Sequence, residues 1–163
     1  MAPRVSLLIP SGDQSRGLGA SGWGLQVNLP VSKQHGDLYF HGNAGFSWRP
    51  NADSDVFPSA SLVAAPDVTL FTPFVAGSTI YRLRPMVNLM LESVFTWQDD
   101  VVAPGRSARE FSSLLSPGVR GGWNRGDSQF IVGAALPIIW ANDTTDVGIL
   151  TYFSFEAPFW KPR

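Results

Sequence analysis

Trp23-Gly24-Leu25-Gln26-Val27-Asn28-Leu29-Pro30-Val31-Ser32-Lys33 sets an apolar side chain at every second position from Trp23 to Val31. That is the period of a β-strand, whose successive side chains point to opposite faces. A tryptophan opens the stretch. Working outward, the same alternation returns: Leu38, Phe40 and Phe46 lead to Trp48, and Val87, Leu89, Leu91 and Phe95 lead to Trp97. Trp123 and Trp140 close two further alternating segments, and Phe159 and Trp160 follow the last one. Aromatic rings at the ends of an apolar stripe are the pattern of a strand anchored in both headgroup layers of a bilayer. The fold class this implies is all-β: an antiparallel, up-and-down transmembrane β-barrel.

Composition narrows the alternatives. The 163 residues suit one domain, 1–163. The longest apolar run, 130–141, is twelve residues, well short of the roughly 20 that a spanning helix needs. Charged residues make up 15%, below the ~25% of ordinary soluble domains. A net charge of −1 gives a nucleic-acid partner no electrostatic support. With no cysteine, a disulfide framework and thiolate metal sites are excluded. The first residues, Met1-Ala2-Pro3-Arg4, lead directly into the alternating Val5-Ser6-Leu7-Leu8-Ile9 without a signal peptide. A barrel must be exported, so the expectation is that Met1 is an internal methionine and that a signal peptide and further strands lie upstream.

Eight strands are expected, at roughly 2–10, 22–34, 38–49, 67–82, 85–98, 110–124, 128–141 and 145–159. Tight polar turns fall near 34–37, 82–84 and 124–127. Longer links fall at 11–21, 50–66 and 99–109, with a shorter one at 142–144. Long and short connections then alternate, as in an outer-membrane barrel with long outer loops and short periplasmic turns. That orientation sets Trp23, Trp48, Trp97 and Trp140 at the outer interface, and Trp123, Phe159 and Trp160 at the periplasmic one. Pro30, Pro73, Pro117 and Pro137 fall inside the strands, where each forfeits a ladder hydrogen bond and calls for a bulge or kink.

The two phases of the alternation differ in kind. The tryptophan phase also takes in Val68, Leu70, Phe74 and Ile80, Phe130 and Val132, and Phe153 and Phe155, with only Lys33 charged. The other phase holds Arg4, Gln26, Asn28, His41, Asn43 and Arg49, then Asn88, Glu92, Arg120, Asp146 and Glu156. An arginine or lysine on a lipid face at mid-bilayer costs ~2–4 kcal/mol, so the second set is expected to line the lumen. Phe71, Val75, Met86, Met90, Ile131 and Ile139 are expected to give part of that lumen an apolar wall. The expected surroundings are bacterial outer-membrane lipid and lipopolysaccharide. A soluble barrel would invert the two faces.

Motifs of catalysis or cofactor binding lose to plainer readings. Gly17-Leu18-Gly19-Ala20-Ser21-Gly22 spells the dinucleotide fingerprint, but a strand follows where a helix is required. Asn51-Ala52-Asp53-Ser54-Asp55 starts like a calcium loop but lacks the glycine and the closing glutamate. Arg125-Gly126-Asp127 is a tight turn. His41 is the only histidine placed for a serine hydrolase, and Asn43 stands where the related motif of lipid A deacylases has serine. No catalytic residue, cofactor or metal is expected.

Several segments resemble the outer-membrane channel family of the phenol-degradation MetA pathway. They are 2–13, Trp23 to Ser32, Leu114-Leu115-Ser116-Pro117-Gly118-Val119-Arg120, and the closing Phe155-Glu156-Ala157-Pro158-Phe159. Family members are longer, with a signal peptide and additional strands. The resemblance implies a passive channel for small hydrophobic or aromatic solutes, and carries over no binding residue. The expected function is therefore non-enzymatic solute passage. The alternatives are a non-conducting structural or surface-interaction barrel, a lipid hydrolase and a soluble ligand-binding barrel.

Overall fold

A computed structural model of the chain describes residues 1–12, 22–52 and 66–157. They form β1 (Arg4–Leu8), β2 (Gly24–His35), β3 (Leu38–Ala52), β4 (Val68–Arg84) and β5 (Val87–Ala103). β6 (Arg106–Arg125), β7 (Ser128–Ala135), β8 (Ile138–Ala141), β9 (Thr144–Val147) and β10 (Leu150–Glu156) follow. Among the described residues there is no helix. The hydrogen-bonded order is β1-β2-β3-β4-β5-β6-β7-β10, with β8 pairing β6 and β9. This is the antiparallel up-and-down order expected from the alternation. β7 with β8 makes up the expected seventh strand, and β9 with β10 the eighth. β1 and β10 end the path. Of the segments singled out above, 13–21, 53–65 and 158–163 lie outside the described residues, and with them most of the 17–22 and 51–55 motifs, Phe159 and Trp160.

Register divides the side chains as the alternation requires, because residues directly opposite one another share a face. Val5 lies opposite Val27 and Leu7 opposite Leu25, while Arg4 meets Asn28 and Ser6 meets Gln26. Trp123 lies opposite Phe130, and Phe130 opposite Phe155. Arg120 lies opposite Gly133, and Ile139 opposite Asp146.

Strand β4 departs from the expectation. The rings of Phe46 and Phe71 are 5.2 Å apart, and a Cβ added to Gly45 would come within 2.9 Å of the Phe74 ring. Phe46 belongs to the tryptophan face and Gly45 to the polar face. Phe71 and Val75 therefore stand on the tryptophan face, exposed by 39% and 49%, and Phe74 stands on the polar one. Both phases of β4 are apolar, so hydrophobic pattern alone could not choose between them. The turn into β5 sets the parity: Met86 takes the left-handed conformation, φ 68°.

The connections also differ. Where a long link was expected at 99–109, β5 and β6 run on to a tight turn at Pro104-Gly105, with Gly105 at φ 67°. The link at 142–144 is a two-residue turn in which Asn142 and Asp143 both have positive φ, 49° and 60°. Asparagine and aspartate tolerate this conformation, and such primed turns match the twist of a hairpin.

Three of the four strand prolines leave their strand unbroken. Pro30 faces the start of β1, where the Ala2 amide gives its carbonyl only a long 3.4 Å bond. Pro137 does break its strand, between β7 and β8. There the Leu136 amide donates to the Pro117 carbonyl, and the Gly148 amide to the Pro137 carbonyl, each at 2.9 Å. Gly148 and Ile149 in turn separate β9 from β10. The ladder is thus interrupted on two successive strands beside Pro117.

The chain divides into two compact units. The first comprises Met1–Val31, Asn43–Val75 and Phe95–Ser112. Here Val5, Leu7, Leu29, Phe71, Val75 and Phe95 are exposed, whereas Asn28 is 4% exposed. The Trp23 and Trp48 rings meet edge to face at 5.8 Å, and Trp97 lies 5.3 Å from Phe111. The second unit comprises Ser32–Gly42, Ala76–Val94 and Ser113–Arg163. Leu89, Leu91, Val119, Val132, Phe153 and Phe155 are exposed, whereas Ser116 is 7% exposed. Trp123 stacks on Phe130 at 5.5 Å, and Phe130 meets Phe155 at 5.0 Å. In both units exposed apolar side chains gather on the tryptophan face and the buried polar ones lie on the other, which in the second unit also exposes Leu150 and Tyr152. Among the described residues the only buried apolar side chains are Ala52 and Val68.

Candidate functional site

The second unit holds a cavity of about 300 Å³. β5 supplies Met90 and Glu92, β6 supplies Ser116 to Arg120 except Pro117, β7 supplies Gly133, Ala134 and Ala135, and β10 supplies Leu150 and Tyr152. The register explains the convergence. Gly118 lies opposite Ala135 and Arg120 opposite Gly133, and those two β7 residues lie opposite Leu150 and Tyr152. Small residues on the two central strands leave room that the flanking Met90, Leu150 and Tyr152 border. A Cβ added at Gly118 would meet the Ala135 Cβ at 3.0 Å, and one at Gly133 would meet the Val119 carbonyl at 3.1 Å. The floor is thus at backbone level. Among the described residues, neither Glu92 nor Arg120 has an ion pair or a side-chain hydrogen bond.

The sequence-selected polar residues gather in smaller groups. In the first unit Gln26 reaches Ser47 at 3.4 Å, and the Arg49 side chain packs beside Gly24. Arg4 lies opposite Asn28. The Asn28 Nδ2 and Asn43 Oδ1 atoms are buried, with no hydrogen-bond partner among the described residues. In the second unit His41 Nδ1 is 2.8 Å from the Ser32 hydroxyl. That contact has the reach of a nucleophile–base pair. A triad also needs a group to orient the far imidazole nitrogen, and no hydrogen bond to Nε2 is found among the described residues.

Of the apolar set, Met90 borders the cavity, Met86 and Ile131 pack against Gly122, and Ile139 pairs with Asp146. Asn88 shares the parity of Met90 on β5. Glu156 lies at the turn end of β10, opposite Gln129, whose side chain donates to Asn124 at 3.2 Å. Phe71 and Val75 leave the set, as the placement of β4 requires.

One charged constellation escaped the sequence reading. Arg109 on β6 donates to both Asp99 carboxylate oxygens, at 2.7 and 2.9 Å, and to the Phe71 carbonyl at 3.0 Å. The Phe71 amide donates back to Asp99 at 3.0 Å. The group lies beyond Trp97, toward the Pro104-Gly105 turn. The Arg109 hydrogen bond holds the Asp99 carboxyl below the usual carboxylate range, against the opposing effect of partial burial. Asp99 and Arg109 lie ten residues apart in a stretch dense in polar residues, which reads as a loop until the hairpin is known. Ser116, Leu150 and Tyr152 were also missed. The small residues of Gly133-Ala134-Ala135 and Gly118 were the available signal for a cavity floor.

Among the described residues no group of three His, Asp or Glu side chains is placed to hold a metal ion. Comparisons with protein-family models, with curated proteins and with solved structures give no match.

Proposed function

We propose that the chain forms wall of an outer-membrane β-barrel, with the polar face lining a passage for small, partly apolar solutes. The observation that carries this reading is the inversion of the sheet: exposed Leu, Val, Phe and Trp on one face, buried Asn28 and Ser116 on the other. In water, so many exposed large apolar side chains gathered on one face would mark an interaction surface or an aggregation liability. In a bilayer it is the required surface, and strands satisfy their backbone groups by pairing. Aromatic pairs near strand ends supply the interfacial anchors. Resemblance to the phenol-degradation MetA-pathway channels agrees with this reading.

The solute would slide along a wall that is apolar around Met90 and Tyr152, with Arg120 and Glu92 orienting its dipole. Reconstitution into liposomes followed by swelling in isosmotic solutes tests the passage. Faster swelling than empty vesicles with benzyl alcohol is expected; equal rates would reject it. A second reading, the non-conducting barrel, draws on the strand order. A barrel closed on eight strands has an interior just filled by side chains, and it would give no swelling with any solute.

A further inference from the structure

We infer that the cavity bordered by Met90, Glu92, Arg120 and Tyr152 binds a small monocarboxylate with a flat apolar body and a hydrogen-bond donor at its far end. The inference rests on the passage reading for its biological setting, but the site is defined by its own chemistry.

Arg120 is half-buried on the cavity wall and has no acidic partner among the described residues. A guanidinium has five donors in a planar fork that matches a carboxylate, and charge-assisted pairs of this kind are the strong hydrogen bonds. Arg109 and Arg82 are each closed by a carboxylate, Asp99 and Asp37, whereas Arg120 is open and borders a cavity.

The body of the ligand follows from the floor. Gly118, Gly133 and Ala135 bring two strands to backbone level, and Met90, Leu150 and Tyr152 rise around them. That shape takes a flat ring and offers it thioether, aliphatic and aromatic contacts. About 300 Å³ is at the small end of ligand cavities, which limits the body to about one ring with its substituents.

Glu92 defines the far end. The Gly122 amide bonds to the Met86 carbonyl at 2.8 Å, so along the antiparallel pair Glu92 falls across from Ser116. Arg120 stands four residues further on, roughly 13 Å along the strand at the usual rise. Both residues line the cavity, displaced from one another along the strands. An ionised carboxylate only accepts hydrogen bonds. Glu92 therefore favours a hydroxyl or amino group there and repels a second carboxylate.

The test is equilibrium binding to the full chain in detergent micelles, by calorimetry, with three probes: 4-hydroxybenzoate, benzoate and 4-hydroxybenzyl alcohol. The expected result is 4-hydroxybenzoate binding at least about ten-fold tighter than the alcohol, from one charge-assisted pair. Arg120→Gln should erase that preference and Arg120→Lys should keep part of it, with unchanged β-sheet circular dichroism in both variants. Glu92→Gln should narrow the advantage of 4-hydroxybenzoate over benzoate several-fold. Equal binding of acid and alcohol by the native chain, or a preference that survives Arg120→Gln, overturns the inference. So does a preference for benzoate over its hydroxylated form. Swelling assays read the other claim: specific binding with no swelling would reject the passage and leave the carboxylate site standing.

Discussion

Two of the four arginines on strand β6 are treated by the fold in opposite ways. Arg109 stands on the tryptophan face, two residues before Phe111, and all its bonding is directed at Asp99 and the Phe71 carbonyl. Arg120 stands on the polar face and borders a cavity, and its side chain bonds to no described residue. The lesson concerns faces rather than residues. On the apolar face of this strand Arg109 is neutralised by a partner just beyond Trp97. On the polar face Arg120 stays available to solvent or solute.

The largest expected effect comes from an arginine introduced on the apolar face with no partner. Leu91→Arg would put an unpaired charge in the middle of the apolar face, at a side chain now 46% exposed. In a bilayer this should cost ~2–4 kcal/mol, read as a lower urea midpoint for the protein folded into lipid vesicles. A loss below ~0.5 kcal/mol, the usual result at a water-exposed surface, would break the comparison by showing that this face meets water.

An intermediate effect concerns the closed arginine. Because the Asp99 carboxyl is lowered in the folded chain, its contribution is complete above the ordinary value of 3.8 and lost as pH falls below it. Arg109→Gln leaves the carboxylate partly buried without its cation, so its carboxyl should rise. The urea midpoint of the variant should then decline from a higher pH than that of the native chain. Superimposable pH profiles would mean that the Asp99–Arg109 pair is ornamental.

The smallest effect belongs to the open arginine. Arg120→Gln removes no partner, so its stability should stay within ~0.5 kcal/mol of the native chain while solute binding changes. A large destabilisation would show that Arg120 is structural after all.

Much of this contrast was legible in the residues. The β2 stretch declares its face because one phase is wholly apolar and the other polar, and the tight turn at Gly36-Asp37 carries the same division into β3. β4 hid its phase, because Leu70 and Phe74 compete with Phe71 and Val75 and a left-handed Met86 fixed the outcome. The outer halves of β5 and β6 read as a loop because Asp99, Asp100, Arg106 and Arg109 look solvated; their pairing depends on a hairpin that pattern does not encode. Of the site, Glu92, Arg120 and Met90 were visible as inward residues. Their meeting with Leu150 and Tyr152 was not, since it depends on the register between β7 and β10.

The break at Leu136-Pro137 and its neighbour at Gly148-Ile149 has a mechanical consequence. Interrupted ladders bend and twist more than continuous ones, and the short strand pieces flanking a break open more readily than long unbroken strands. The sheet therefore carries a crease beside Pro117, a line of compliance in an otherwise stiff wall. Deuterium uptake should begin along it, near Ala135 and Ile138, while the unbroken β2–β3 hairpin still keeps its protons.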